Sequence, residues 1–268
     1  MDNHKKGIVC FDLDGTLLNN RTNEISGSSL RAVRELKEAG YIVVLSTGRD
    51  METGYSSAYA GMIEPHAVIH QNGSKITADG SLLFRHTMSR ELLQEIYEFG
   101  LAGGHCFGTT IGSEDFFLDP EKRKLADGSV NRYVVRNFRP FEELFSRGLE
   151  VTALSLTGDI PAEKPLIEAA FPQLEILPFS SNTAADIVER GFSKAEGLKM
   201  LCSHYQVPIE KTYAFGDSSN DIAILKSAAV GIAMGNADGP AKEAADYVTE
   251  DQEHDGIYRA CVLLGLIA

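Results

Sequence analysis

The feature that most constrains this chain is a set of four short runs that are apolar at almost every position: Ile8–Phe11, Tyr41–Leu45, Thr212–Phe215 and Val230–Ala233. A strand with one wet face alternates polar and apolar residues. An uninterrupted apolar run has to be covered on both faces, as happens to strands in a sheet flanked by helices. The segment between the first two runs supplies such a helix. Leu30, Val33, Leu36 and Ala39 recur at helical spacing there, with Ser28 placed to cap the start and Gly40 the end. The alternation returns near the carboxyl end. The pattern predicts helices over 194–206, 221–228, 238–245 and 255–266 around strands at 212–216 and 230–233, with Ser193 as an N-cap. Repeated βα units joined by right-handed crossovers build a mainly parallel, doubly wound sheet, which is an α/β fold.

The middle of the chain reads differently. From about Leu82 to Ile187, helical patterns (Ser89–Phe99 and Ala162–Ala170) mix with strands that are less apolar or one-sided (Tyr133–Val135 and Val151–Leu156). Six of the nine prolines, Pro120, Pro140, Pro161, Pro165, Pro172 and Pro178, fall in this stretch. The chain's 268 residues also exceed what one core comfortably supports, a limit near ~250. The expected organisation is a core made of 1–82 and 188–268, interrupted by an inserted α+β domain over 83–187.

Charge narrows the partners. The 38 acidic residues exceed the 25 basic ones, giving a net charge of -13. Such a chain has no general electrostatic reason to seek nucleic acid or anionic lipid, although a local basic pocket still suits a small anion. The apolar stretch at Ile8–Phe11 is interrupted by Asp12, too soon for a signal peptide or a membrane span. Cys10, Cys106, Cys202 and Cys261 show no paired spacing, so reduced thiols in a cytoplasmic protein are expected.

The chemistry-bearing residues gather at strand ends. The first run ends in Asp12-Leu13-Asp14-Gly15-Thr16. Ligands of open α/β sheets sit beyond the carboxyl ends of strands, and residues two apart in extended chain point to the same side. Two close carboxylates resist ionisation unless a cation lies between them, and a hard divalent ion fits. An EF-hand loop needs Gly at position six and Glu at twelve. Here Gly is fourth and Asn23 is twelfth. The second run leads to Thr47-Gly48-Arg49, where a hydroxyl and backbone N–H groups form a natural phosphate cradle. Arg49 reads equally as an ion-pair partner and as a ligand. The third run opens into Gly216-Asp217-Ser218-Ser219-Asn220-Asp221, whose acids and amide suggest the completion of an oxygen-lined Mg²⁺ site.

Taken in order, Asp12-x-Asp14-Gly15-Thr16, Thr47-Gly48-Arg49, Ser193-Lys194 and Gly216-Asp217-x-x-Asn220-Asp221 resemble the four motifs of haloacid dehalogenase superfamily phosphatases. Ala233-Met234-Gly235-Asn236-Ala237, Lys242, Ala245–Thr249 and Asp255-Gly256 resemble the Cof-type subfamily more narrowly, as does the place of the insert, which is similar to that subfamily's α+β cap. One departure is Ala195-Glu196-Gly197 after Lys194, where many relatives carry Gly at once.

The resemblance implies a Mg²⁺-dependent phosphomonoester hydrolase of small phosphorylated metabolites such as sugar phosphates, working through a phospho-aspartyl intermediate. It implies Asp12 as nucleophile and Asp14 as general acid and base. Metal would be held by Asp12, the Asp14 backbone carbonyl and Asp217. Thr47, Gly48, Lys194 and Asn220 would bind phosphate, Lys194 also neutralising the nucleophile, and Asp221 would orient Lys194 or its neighbours. A phosphotransferase or mutase on the same scaffold, or a regulator that binds a phosphorylated ligand without turnover, are the alternatives.

The cap is expected to close over the site and to read substrate, with His105, Arg123, Lys124 and Arg132 as candidates. His66, His70, His86, His204 and His254 are read as core or surface residues and not as metal ligands. Glu114–Phe117 reads as either a cap edge or an interface. The apolar Val262–Ile267 is expected to pack on the sheet, and the sequence leaves monomer and homodimer both open.

Overall fold

The computed structural model describes residues 5–54, 56–127, 137–179 and 181–268. The strand expected at Tyr133–Val135, Arg132 and the side chain of Lys124 lie outside the described residues. The strands up to the middle of the chain are β1 (Gly7–Phe11), β2 (Leu18–Asn19), β3 (Glu24–Ile25), β4 (Tyr41–Ser46), β5 (Ala67–His70), β6 (Lys75–Ala78), β7 (Ser81–Arg85) and β8 (Cys106–Ile111). Then come β9 (Glu114–Phe117), β10 (Asn137–Pro140), β11 (Leu154–Thr157), β12 (Leu174–Pro178), β13 (Ala184–Glu189), β14 (Thr212–Gly216), β15 (Val230–Ala233) and β16 (Tyr247–Val248).

The chain divides into two compact units. One takes in the chain up to Arg49 with Tyr59–Phe84 and Phe192–Ala268, and the other is Asp50–Ala58 with Arg85–Gly191. The first unit holds an eight-stranded sheet in the order β16-β15-β14-β1-β4-β5-β6-β7. Six neighbours, β16 through β5, run parallel, and β6 turns back antiparallel on β5. Every residue of β1 is buried, which is why its sequence does not alternate. The chain leaves β1 toward β4 on one side and later builds β14, β15 and β16 on the other. The order therefore reverses at β1, and a crevice opens at the carboxyl ends of β1 and β14.

The helices of this unit form for local reasons. Gly27–Glu38 buries Ala32, Val33 and Leu36 along one stripe, and Gly40, at φ +92°, ends it in the left-handed region. Its N-cap is Ser26, whose Oγ accepts from Ser29 N, so the cap lies two residues before the expected Ser28. Lys194–Tyr205 is capped by Ser193 as expected, with Gln206 left-handed at its end. Gly197 is required by packing, since a Cβ there would fall 2.7 Å from the Ile69 side chain of β5. The glycine three residues after Lys194 thus leaves the helix start regular and lets the helix approach the sheet. The last helix is Gly256–Leu263; beyond it Leu266 and Ile267 are buried while Val262 and Leu263 are exposed. No helix among the described residues is long and apolar enough to cross a membrane.

The second unit is α+β. Its sheet runs β10-β9-β8-β11-β13-β12, antiparallel except for β9 beside β10. Glu114–Phe117 is therefore an interior strand, with Asp115, Phe116 and Phe117 buried, and Glu114 is held by Arg139 and Arg147. Ile96, Phe107, Phe141, Leu156, Ile167 and Ile176 share one apolar core, which explains the one-sided pattern of these strands. Helix Arg90–Gly103 runs four residues past the expected Phe99 and ends on left-handed Gly104. The segment Asp50–Ala58 also belongs to this unit. A Cβ on Gly54 would fall 2.8 Å from Ser113 Oγ, a long-range approach with no local signature.

Candidate active site

The site is built where β1 and β14 end. Phe11 lies opposite Phe215 with their rings 4.8 Å apart, and the Asp12 N–H donates to the Phe215 carbonyl, so Asp12 and the Gly216–Asp217 turn emerge side by side. Gly15 has φ +86°, and a Cβ on it would fall 2.1 Å from Asp217 Oδ2. Only glycine allows both the turn and this approach. Thr16 Oγ1 donates to Asp217 Oδ1 at 3.4 Å.

Lys194, the first residue of its helix, is fully buried. Its Nζ donates to Asp12 Oδ1 and to Asp221 Oδ1, each at 2.6 Å. Asp221 Oδ2 accepts from the N–H groups of Asp217 and Ser218, so both of its oxygens are engaged in holding Lys194 and the turn that carries Asp217. Burial alone would depress the Lys194 ammonium, but Asp12 and Asp221 hold it above its ordinary value. Burial pushes Asp12 up to about 8 despite the neighbouring ammonium, and pushes Asp217 up to about 9 with Asp12 and Asp221 adding to the rise.

Asp12, Asp217 and Asp221 offer carboxylate oxygens within 4.8 Å of one another, the one such cluster among the described residues. Two buried acids and the half-buried Asp217 against one lysine leave negative charge uncompensated. The donors are all oxygens, and burial raises two of the carboxyls even beside Lys194, so the set fits a hard divalent cation. Asp12 and Asp217 are the members best placed to ligate it.

Asp14 points elsewhere. Its carboxylate accepts from Arg49 Nε at 2.7 Å and Nη2 at 2.5 Å, so Arg49 is paired with Asp14. Burial would lower the Arg49 guanidinium, and Asp14 raises it above the ordinary value. Thr47 is buried, and its Oγ1 accepts from Arg49 N while its own N–H goes to Ile69. Among the described residues no acceptor meets the Gly48 N–H. Asn220 Nδ2 donates to Asn72 Oδ1 at 3.0 Å, and its Oδ1 accepts from Ser218 Oγ. In the second unit, His105 pairs with Glu163 at 2.7 Å and stacks on Phe99, while Arg123 lies 5.5 Å over the Phe117 ring.

The turn after β5 is the part of the site that sequence reasoning missed. The N–H groups of Gln71 and Asn72 donate to the carbonyls of Arg49 and Thr47, so this turn grips the Thr47–Arg49 segment. Gln71 and Asn72 are left-handed, at φ 48° and 54°, and Gly73 at φ +101° lies so close to Ser193 that a Cβ would fall 2.2 Å from its carbonyl oxygen. The Asn72-Gly73 dipeptide behind the apolar Ala67–Ile69 was the available signal.

Comparison with known proteins agrees with this construction. The family model of haloacid dehalogenase-like hydrolases matches residues 9–261. The Bacillus subtilis (strain 168) protein named 5-amino-6-(5-phospho-D-ribitylamino)uracil phosphatase YcsE is 29% identical over 254 residues, which cover 94% of this chain and 93% of that protein. The structure of the phosphatase BT1666 from Bacteroides thetaiotaomicron superimposes with a TM-score of 0.87 at 27% identity, over 97% of this chain and 96% of the other. That of BT4131, described as a subclass IIB sugar phosphatase, gives 0.86 at 25% identity, over 97% and 100%. By that match the chain belongs to the haloacid dehalogenase-like hydrolase family, as an enzyme of its Cof-type phosphatase branch.

Proposed function

We propose that the protein hydrolyses phosphomonoesters of small metabolites, sugar or polyol phosphates among them, through a phosphoryl group carried on Asp12 and with Mg²⁺ as cofactor. The observation that carries this reading is the placement of Lys194 Nζ, 2.6 Å from Asp12 and buried. A carboxylate whose counter-ion is fixed on one side is oriented as a nucleophile, and the same ammonium offsets charge on an arriving phosphate. Support for the substrate class comes from the relative named for a phosphoribitylamino compound and from the neighbour described as a sugar phosphatase.

In this reading an Asp12 oxygen attacks phosphorus and the bond to the ester oxygen breaks. Protonated Asp14 gives its proton to the departing alkoxide. Ionised Asp14 then takes a proton from the water that attacks phospho-Asp12, releasing inorganic phosphate and restoring both acids. The Thr47 hydroxyl, the Gly48 N–H, Lys194 and the second amide hydrogen of Asn220 bind phosphate oxygens. Asp221 holds Lys194 in place through its 2.6 Å contact. Asp12, the Asp14 carbonyl and Asp217 would hold Mg²⁺, which would supply Lewis-acid neutralisation of phosphoryl charge. We assign substrate selection to the inserted α+β unit.

The test is phosphate release from 4-nitrophenyl phosphate by purified protein. Release should require Mg²⁺ and vanish in Asp12→Asn, and robust turnover by that variant would sink the assignment.

A further inference from the structure

The loop that follows β15 is fastened to both acid-bearing turns of the site. Met234 N donates to the Gly216 carbonyl at 3.0 Å and Asp238 N to the Asp217 carbonyl at 2.9 Å, so the loop follows the Asp217 turn closely. From its middle, Asn236 reaches across and donates from Nδ2 to the Gly15 carbonyl at 2.7 Å. The loop itself is anchored. Gly235 N donates to the Glu250 carbonyl, and a Cβ on Gly235 would fall 2.6 Å from Asp251 N. Gln252 extends the brace, with its N–H toward Asn236 Oδ1 at 3.4 Å and its Nε2 donating to the Leu18 carbonyl at 3.0 Å.

Asn236 is an exposed residue. Replacing an exposed side chain away from special features changes stability little, so nothing in its burial calls for an amide here. Its bond nevertheless fixes the Gly15–Thr16 peptide, one residue beyond Asp14, at the glycine whose missing Cβ lets Asp217 approach. We propose that Asn236 is a positioning residue for the divalent cation. It locks the Asp14–Thr16 turn at the separation from Asp217 at which Asp12, the Asp14 carbonyl and Asp217 converge. This rests on the reading of those residues as a Mg²⁺ site. Groups that orient metal ligands through one hydrogen bond typically change metal affinity by about 10–100-fold when lost.

The test is calorimetric titration of the substrate-free protein with MgCl₂, alongside its melting temperature in chelator. Asn236→Leu should weaken Mg²⁺ binding about tenfold or more, with the chelator melting temperature unchanged and the maximal rate at saturating Mg²⁺ largely retained. Asn236→Gln, which keeps the amide on a longer arm, should recover part of the affinity. Wild-type affinity in Asn236→Leu, where Asp217→Asn abolishes binding, would overturn the proposal and leave the phosphatase reading intact. Failure of the wild-type protein to bind Mg²⁺ at all would overturn the metal reading on which it rests.

Discussion

Arg49 grips the Asp14 carboxylate with two nitrogens, at 2.7 and 2.5 Å, so the second acid of the first turn is oriented by a cation of its own and not by the lysine that holds Asp12. A two-pronged guanidinium contact fixes direction as well as charge. Asp12 and Asp14 therefore have separate partners, which is what two acids with different tasks require.

From that separation follows a leaving-group test. A nitrophenolate departs without help, whereas an alkoxide needs a proton. Arg49→Leu and Asp14→Asn should each lower kcat/KM for an alkyl phosphate by about 10²-fold or more, the range of general acid–base catalysis, and should affect the first step with 4-nitrophenyl phosphate far less. Equal losses on both esters would place Arg49 on the phosphate and not on Asp14.

Lys194 stands between two buried carboxylates. Lys194→Met leaves both without a counter-charge, and breaking a buried ion pair from one side costs about 3–5 kcal/mol. Denaturant titration at pH 8 should show a loss of that order together with loss of turnover.

Stability should fall with pH in the metal-free protein. Asp12 and Asp217, raised by burial to about 8 and about 9, keep protons in the folded state at pH values where the unfolded chain, near 3.8, has lost them. A folded state that binds more protons loses stability as pH rises. The melting temperature in chelator should therefore drop between pH 6 and 9, and the gain on adding Mg²⁺ should grow over the same interval. A gain independent of pH would separate the cation from these two acids.

Gly73 lies against Ser193, the cap of the helix that begins at Lys194. Gly73→Ala meets both a positive φ, worth about 1–2 kcal/mol, and a backbone collision. The variant should melt lower and turn over more slowly, whereas Gly80→Ala, at φ +76° with open space around it, should lose stability but retain its rate.

The parts of this site that lie in continuous stretches were legible in the sequence. Asp12 and Asp14 follow a run too apolar to be anything but a buried strand, and Asp217 and Asp221 follow another, with Ser193 announcing the helix that begins at Lys194. What was not legible depends on approach between distant segments. The left-handed Gln71 and Asn72 are imposed by the carbonyls of Thr47 and Arg49, which no local pattern encodes. Arg49 carried no sign of whether it would face Asp14 or a ligand. Ser26 and Ser28 are chemically equal caps, and the helix starts where Ser26 Oγ meets Ser29 N. Asp50–Ala58 joins the second unit through packing at Gly54 and Ser113, far apart in sequence.

The most direct test of the account is an acid-quenched single turnover of Asp14→Asn with 4-nitrophenyl phosphate carrying a labelled phosphoryl group, followed by peptide mapping. The account predicts a burst of nitrophenolate of about one equivalent per protein, with the label on the peptide that contains Asp12. Nitrophenolate release with no protein-bound phosphoryl, or with the label on another residue, would contradict it.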